Sequence, residues 1–355
     1  MPEAGLVNAT GIKVPVKAAE SVRRYLKERG LLDAELVPAR GDDFVVFPVK
    51  MVSGEDIYAG LQGELVRFDF AERPSRPGGL KEVLKKSLSE SELEGAPSSF
   101  DIVGDIAVVH IPAALRSKAS LIGEAIMKAH RSVRVVLGEA SRFEGLYRTR
   151  KYVHLAGENR TYTVHRENGC RFIVDLSTTY FTPRLSGERM RIASLVSKTE
   201  LVADLFAGVG PFSITIAKHA EALVHASELN PHAYEMLLRN IEANKLSGGV
   251  VPHYGDCREV FKSISLRFDR IIMNYPSDPL AFLETALSII GEGGTIHLYG
   301  FAEDIDSWRK LIIARIEEQG GACRASVRAL RPVSPRRSLA VADVEVYSTP
   351  ERGAG

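Results

Sequence analysis

Gly208, Gly210, Glu228, Asp256 and Asn274 are the residues of this 355-residue chain whose types and places suit the holding of a nucleoside, because each follows an apolar, strand-like run. The runs are Leu201 to Leu205, Ala222 to Ser227, Val250 to Tyr254 and Phe268 to Met273. Open α/β sheets bind ligands just beyond the carboxyl ends of their strands. In Asp204-Leu205-Phe206-Ala207-Gly208-Val209-Gly210-Pro211 the two glycines let the backbone approach a ligand with no side chain between, and Pro211 suits the first position of a helix. Glu228 stands where a carboxylate accepts hydrogen bonds from ribose hydroxyls, and Asp256, before Cys257, repeats the pattern one strand later. The position three after Gly210 is Ser213, so the third glycine of a dinucleotide fingerprint is absent. An adenosine-bearing cofactor follows, and S-adenosylmethionine (AdoMet) fits better than NAD. The plainer alternative is a helix-packing turn with ordinary solvated acids.

A second group of residues has the chemistry of proton removal and base recognition. In Tyr180-Phe181-Thr182-Pro183-Arg184-Leu185-Ser186-Gly187-Glu188-Arg189, Ser186 is a candidate helix cap with Glu188 in the first turn. The functional alternative puts Glu188, with Arg184 and Arg189 nearby, at the cofactor cleft as a general base, since a protonated ring nitrogen must lose its proton as it is methylated. Asn274-Tyr275-Pro276 resembles the N-P-P-Y type of element that holds planar, amide-bearing substrates. The Asn amide offers a donor and an acceptor to a nucleobase edge, while Tyr or Pro stacks on its face; a strand-ending turn without substrate contact is the competing reading. Arg148 has no local feature that marks it, and by itself reads as a surface arginine.

The elements that must position these residues alternate regularly from Arg189 onward. Helices are expected at Arg189 to Val196, Pro211 to His219, Pro231 to Lys245, Pro279 to Ile290 and Ile305 to Gln319, with a fifth strand at Thr295 to Phe301. Two last extended runs, Ala325 to Val333 and Leu339 to Tyr347, flank the turn at Ser334-Pro335-Arg336-Arg337. Five parallel strands closed by an antiparallel pair make a Rossmann-type, class I methyltransferase layout with a mostly parallel seven-stranded sheet. Two smaller α+β domains are expected before it. The first, 1–70, has a helix at Lys17 to Arg29 and strands at Glu35 to Pro38 and Phe44 to Val52; 71–79 reads as a linker. The second, 80–180, has helices at Leu80 to Leu88 and Ser117 to His130 and strands at Asp101 to His110 and Val133 to Leu137, followed by further extended pieces up to Tyr180. The methyltransferase domain takes 181–355.

Composition sets wide bounds. With 26% charged and 45% hydrophobic residues the chain has the balance of a globular protein, and no apolar run approaches the roughly 20 residues of a membrane span. The amino terminus lacks a signal-peptide pattern, so the cytoplasm is expected. Cys170, Cys257 and Cys323 are widely separated, which suggests neither a metal site nor a disulfide framework. The net charge of +1 is uninformative, but between Arg142 and Arg191 ten basic residues face five acidic ones, an excess suited to phosphate contact or to a solvated basic face.

Taken jointly, His165-Arg166-Glu167-Asn168-Gly169-Cys170-Arg171-Phe172, the Tyr180 to Arg189 segment, the D-L-F-A-G-V-G-P turn, Glu228-Leu229-Asn230-Pro231 and Met273-Asn274-Tyr275-Pro276 closely resemble the archaeal and eukaryotic tRNA (guanine-37-N1) methyltransferases. The likeness runs from about Gly145 to Val346. It implies AdoMet as cofactor, tRNA as partner, no metal and, by default, a monomer; the middle domain would assist tRNA binding and the amino-terminal one would check tRNA shape. By position in the motifs, Glu188 is implied as general base, Arg148 as the group steadying charge on the guanine O6, and Asn274 as the residue orienting the base. Tyr275 and Pro276 join Arg148 on the substrate side. Tyr180, Arg184, Arg189, Phe206, Gly208, Glu228, Leu229, Asp256, Cys257 and Asn274 are implied as cofactor contacts. Tyr275 stands where the family commonly has Leu or Pro, and Ser277 where Lys or a similar residue often follows. Relatives that also methylate C7 of the wyosine precursor vary in this element, so such an enzyme is the alternative. A relative that transfers the aminocarboxypropyl group usually lacks the Asn-x-Pro.

Overall fold

The computed structural model describes residues 6–33, 35–50, 58, 61, 63–71, 79–141 and 143–348; most of the expected linker lies outside them, as do Arg142 and the end of the strand expected at Phe44 to Val52. The chain divides into two compact units between Ser87 and Leu88.

In the first unit, β1 (Leu6–Pro15), β2 (Ala39–Arg40), β3 (Phe44–Pro48) and β4 (Glu64–Ala71) form an antiparallel sheet in the order β2-β3-β1-β4. Helix α1 (Ala19–Glu28) has Val22 and Leu26 on one face, and these pack with Ile12, Val14, Val45 and Phe47. The sequence reading missed β1 because Gly11 breaks its apolar pattern. A Cβ at Gly11 would lie 2.5 Å from the Phe70 ring, so the residue is small to admit that ring. The strand expected at Glu35 to Pro38 is replaced by the two-residue β2 just beyond it, and α2 (Leu80–Leu84) is shorter than expected.

The second unit opens with α3 (Glu90–Glu94), started by a Ser89/Glu92 capping box. A four-stranded sheet, β5 (Asp101–Val103), β6 (Ile106–Val109), β7 (Val135–Glu139) and β8 (Tyr152–Gly157), follows, with α4 (Ala119–Ala129) between β6 and β7. The single strand expected at Asp101 to His110 is two, because Gly104 turns the chain at φ +59°. Strands β9 (Tyr162–Glu167) and β10 (Cys170–Asp175) make a hairpin whose Asn168-Gly169 turn has positive φ at both residues.

This hairpin is built into the carboxyl-terminal part of the unit. Phe172 and Val174 of β10 share a core with Ile214 and Leu237, and the Asn240 amide accepts from the Ile173 N–H at 2.6 Å and donates to its carbonyl at 3.1 Å. The expected middle and methyltransferase domains therefore belong to one compact unit.

The large sheet contains β11 (Leu201–Asp204), β12 (Leu223–Glu228), β13 (Gly249–Tyr254), β14 (Phe268–Met273), β15 (Ile290–Ala302), β16 (Ala322–Ser334) and β17 (Arg337–Ser348). Its order is β13-β12-β11-β14-β15-β17-β16; the first five are parallel, and β17 runs antiparallel between β15 and β16. The expected seven-stranded layout is the one observed. On one face α5 (Ser186–Leu195) and α6 (Pro211–His219) bury Ile192, Phe212 and Ile216; on the other, α8 (Cys257–Lys262), α9 (Leu283–Ile289) and α10 (Ile305–Glu317) bury Phe261, Leu287 and Ile312. Helix α7 (Pro231–Glu242) completes the connection from β12 to β13.

Helix α5 starts at Ser186, three residues before the expected Arg189, because the 3-10 turn Pro183–Leu185 feeds directly into it. Ser186 is thus inside the helix and is not its cap. Thr182, whose hydroxyl accepts from the Arg184 N–H at 3.3 Å, caps the 3-10 turn instead.

Candidate active site

The strand order reverses between β11 and β14, and ligands of doubly wound folds bind at such a switch point. Two clefts meet there. The first, about 1050 Å³ including its open mouth, is lined by Phe206, Gly208, Glu228, Leu229, Asp256, Cys257, Tyr275 and Phe282 among others. The second, about 1270 Å³, is lined by Glu139, Arg150, Tyr152, Arg184, Pro276, Phe301 and Arg331 among others. Arg148, Tyr180, Phe181, Thr182 and Asn274 belong to both.

The first cleft has the chemistry of a nucleoside site. Gly208, at φ +56°, carries its backbone past the cleft, and a Cβ there would find only the Tyr180 carbonyl oxygen, at 3.9 Å. Glu228 accepts the Gly208 and Asn230 N–H groups, each at 2.7 Å, and so joins the glycine turn to the end of β12. Burial pushes its proton affinity up, and the two N–H groups offset this only in part. One lone pair on each oxygen remains for hydroxyl donors. Asp256 caps α8 and pairs with Arg258 at 2.6 Å, which holds its carboxyl down. Next to it the buried Cys257 thiol is pushed up to about 12, so it stays protonated and contributes apolar surface. Phe206 stacks on Tyr275 with centroids 5.0 Å apart and meets Phe282 edge-on at 4.8 Å, giving a flat apolar wall.

Arg189 lies on the same cleft, fully buried, bound to Glu167 at 2.5 Å and to the Thr182 carbonyl at 2.8 Å; its Nε has no partner among the described residues. A cation with a spare donor, a hydroxyl-accepting carboxylate and an aromatic wall fit the carboxylate, ribose and adenine of AdoMet.

The seam between the clefts has different chemistry. Arg148 is held at φ +51°, a conformation rare outside glycine, within the turn closed by the Glu144–Thr149 bridge. Its guanidinium donates to the Ser277 hydroxyl at 2.7 Å and lies 5.3 Å from the centre of the Tyr180 ring. Asn274 stands at the end of β14 and, among the described residues, its amide makes no hydrogen bond.

Three expectations change. Tyr275 was expected beside Pro276; it forms part of the aromatic wall of the first cleft, and Pro276 turns toward the second, because successive residues leaving a strand point to opposite sides. Arg184 was expected on the cofactor; it pairs with Asp101 at 2.6 Å and lines the second cleft. Glu188 was expected to face the cofactor and lines neither cleft. Consecutive helical residues point about 100° apart, so with Arg189 turned into the first cleft Glu188 turns toward the sheet. There Arg191 donates to both carboxylate oxygens at 2.8 and 3.0 Å, the Tyr299 hydroxyl donates at 2.8 Å, and Arg328 donates to Oε2. Burial pushes this carboxyl up, but Arg191, Tyr299 and Arg328 outweigh it and the net displacement is downward.

Sequence reasoning passed over Asn230, Phe282, Tyr299, Arg328 and Arg331. Asn230 was findable: Asn before Pro231 is a helix-cap signature, and its side chain accepts the His232 N–H at 3.0 Å while its amide donates to the Thr178 carbonyl at 2.7 Å. The others have no local signal.

Comparison with known proteins agrees with this geometry. Residues 163–327 match the TRM5/TYW2 methyltransferase domain, 80–161 the TYW2 N-terminal domain and 11–57 the tRNA methyltransferase 5 N-terminal domain. The tRNA (guanine(37)-N(1))-methyltransferase Trm5b of Pyrococcus abyssi is 41% identical over 343 residues, 94% of this chain and 98% of its own. Its crystal structure covers 96% of this chain and 100% of its own with a TM-score of 0.70. The structure of aTrm5 in complex with tRNALeu is 33% identical, with a TM-score of 0.68 over 95% of this chain and 99% of its own. The tRNA 4-demethylwyosine(37)-methyltransferase Taw21 of Saccharolobus solfataricus is 33% identical over 248 residues, 69% of this chain and 93% of its own. Sequence, fold and cleft chemistry together establish that the chain belongs to the Trm5 family of tRNA methyltransferases.

Proposed function

We propose that this protein methylates N1 of guanosine 37 in tRNA, holding AdoMet in the first cleft and the guanine in the second. The observation that carries the reading is Asn274: an amide without a partner among the described residues, at the seam of both clefts, offers its donor and acceptor to a base edge. The Pyrococcus relative's activity and the aTrm5–tRNALeu complex support tRNA as the substrate.

Glu228 is assigned to ribose hydroxyls, Arg189 to the amino-acid carboxylate, and Phe206, Tyr275 and Leu229 to the adenine. Bound AdoMet supplies an electrophilic methyl group on sulfur. Guanosine 37 must leave its stack to reach the seam. Asn274 orients the base and Arg148 offsets negative charge on O6 as N1 gives up its proton. Glu188 is the proposed acceptor of that proton. Three donors stabilise its charged form, and that combined grip must weaken for it to act.

The deciding experiment incubates the protein and methyl-labelled AdoMet with guanosine-37 and adenosine-37 tRNA transcripts, then digests them and identifies the modified nucleoside. Label as N1-methylguanosine on the first transcript alone is expected; label on the second, or on neither, would overturn the reading. The Ser277 hydroxyl on Arg148 and the Saccharolobus relative favour a second reading, methylation of the wyosine precursor as well, which a precursor-bearing tRNA tests in the same assay.

A further inference from the structure

Of the three donors on Glu188, two are fixed in place. Arg191 is gripped by Asp343 through two bonds of 2.9 and 3.0 Å, and Tyr299 is fully buried in the sheet. Arg328, on β16, differs from both. Its side chain is 42% exposed, and Glu188 is its single acidic partner among the described residues. Three residues on, Arg331 makes no hydrogen bond or ion pair among the described residues, and its Nε is buried without a partner. The β16–β17 register slips between Ala329 and Arg331, a bulge of the kind that re-aims a side chain beside a site.

Arg184, Arg191, Arg328 and Arg331 line a depression of about 520 Å³ in which Glu188 is the one acid. It adjoins the substrate cleft, since Arg184, Leu185 and Arg331 line both. Arg184 is paired with Asp101, Arg191 with Asp343 and Glu188, and Arg328 with Glu188, so the four guanidinium groups meet three carboxylates and one positive charge is left over, with Arg331 the guanidinium that has no acid of its own among the described residues; a guanidinium matches phosphate oxygens with two parallel donors.

We propose that Arg328 and Arg331 bind a backbone phosphate of the RNA beside the target nucleotide, and that this contact withdraws Arg328 from Glu188. The proposal rests on the reading of Glu188 as proton acceptor. Glu188 is faced by Arg191 from its own helix, Tyr299 from β15 and Arg328 from β16; Asp343 of β17 and His297 of β15 reach it through Arg191. Losing one of two cations strengthens the carboxylate's hold on a proton. An unoccupied enzyme thus keeps Glu188 tied, and correctly seated RNA frees it.

The test measures single-turnover methylation, at saturating AdoMet and RNA, of anticodon stem-loops in which each loop phosphate in turn is replaced by a neutral methylphosphonate. With the wild-type protein, neutralising one linkage is expected to lower the rate about tenfold, the scale of one charge-assisted hydrogen bond. With Arg328→Gln the neutralised and unmodified RNAs should react at equal rates. Arg331→Ala should weaken RNA binding and lower the slope of log affinity against log salt by about one, with AdoMet affinity unchanged. No sensitive linkage in the wild type, or equal sensitivity in Arg328→Gln, would overturn the proposal. Failure of the wild type to methylate unmodified RNA, or a wild-type rate in Glu188→Gln, would instead remove the reading on which it rests.

Discussion

Replacing Asn274 by Ala separates a substrate-reading residue from a structural one, because its amide has no hydrogen bond to lose among the described residues. Folding should therefore be little affected: the side chain is half-buried at a strand end, and a substitution there that breaks no network stays within about 0.5 kcal/mol. Catalysis should suffer. An amide matched to a base edge through two hydrogen bonds is worth about 1–3 kcal/mol, which at about 1.4 kcal/mol per decade corresponds to a rate loss of about fivefold to 150-fold. Single-turnover methylation at saturating RNA and AdoMet reports the rate, thermal unfolding the stability, and equilibrium titration the AdoMet affinity. The AdoMet affinity should change by less than about threefold, since Glu228, Arg189 and the aromatic wall are the contacts proposed for that cofactor. A rate within twofold of wild type would refute base recognition by Asn274. A large fall in melting temperature would show that the amide has a structural partner.

Other residues give equally specific outcomes. Glu228→Gln leaves one carbonyl oxygen where two oxygens accept N–H groups at 2.7 Å, so AdoMet affinity measured by calorimetry should fall about tenfold to 100-fold; an unchanged affinity would dissociate Glu228 from the cofactor. Gly208→Ala should lower AdoMet affinity at a folding cost of about 1 kcal/mol, because its Cβ meets cleft space. Gly210→Ala should instead destabilise by about 2–3 kcal/mol in denaturant titration, since its Cβ would lie 2.6 Å from Leu237 and 2.8 Å from Ile214. Asp343→Asn should cost about 2 kcal/mol at neutral pH, less than a fully buried pair because about a quarter of each partner is exposed. Against the push of burial, His297 and then Arg191 hold the Asp343 carboxyl far below its usual range, so its contribution is complete above about pH 4 and is lost as the pH falls below that. The stability gap to wild type should therefore narrow below pH 4, and a constant gap would show that the carboxylate's charge is not what stabilises.

The parts of the site that lie at strand ends were legible because one local signal fixes both element and function. An apolar run followed by Gly208 and Gly210, or by Glu228, determines where the chain turns and what it presents there. Rotation about an element was not legible. The choice between Glu188 and Arg189 depends on where α5 begins, and the start is set by the 3-10 turn at Pro183–Leu185, which no helical period predicts. A one-position uncertainty amounts to about 100° on a helix and a change of side at a strand end. The same uncertainty put Tyr275 together with Pro276 on the substrate side, whereas Tyr275 lines the first cleft.

The environment of Glu188 was hidden for a different reason. Tyr299 and Arg328 lie 111 and 140 residues from it in sequence, brought near by the β15–β17–β16 pairing. A motif can nominate a carboxylate as a base, but whether it can accept a proton depends on charges delivered by strands far along the chain. Arg191 ties Glu188 to Asp343, Asp343 accepts from the buried His297, and His297 accepts from Arg270, which is bound to Glu200 at the foot of β11. Since Arg270 can only donate to the His297 Nε2, the imidazole is neutral with its proton on Nδ1, and burial favours that form. The chain is satisfied at each of these links except at its outer end. Of the three donors on Glu188, Arg328 is the most exposed, at 42% against about a quarter for Arg191 and none for Tyr299, so the adjustable element of the Glu188 environment is the one on the side of the proposed phosphate site.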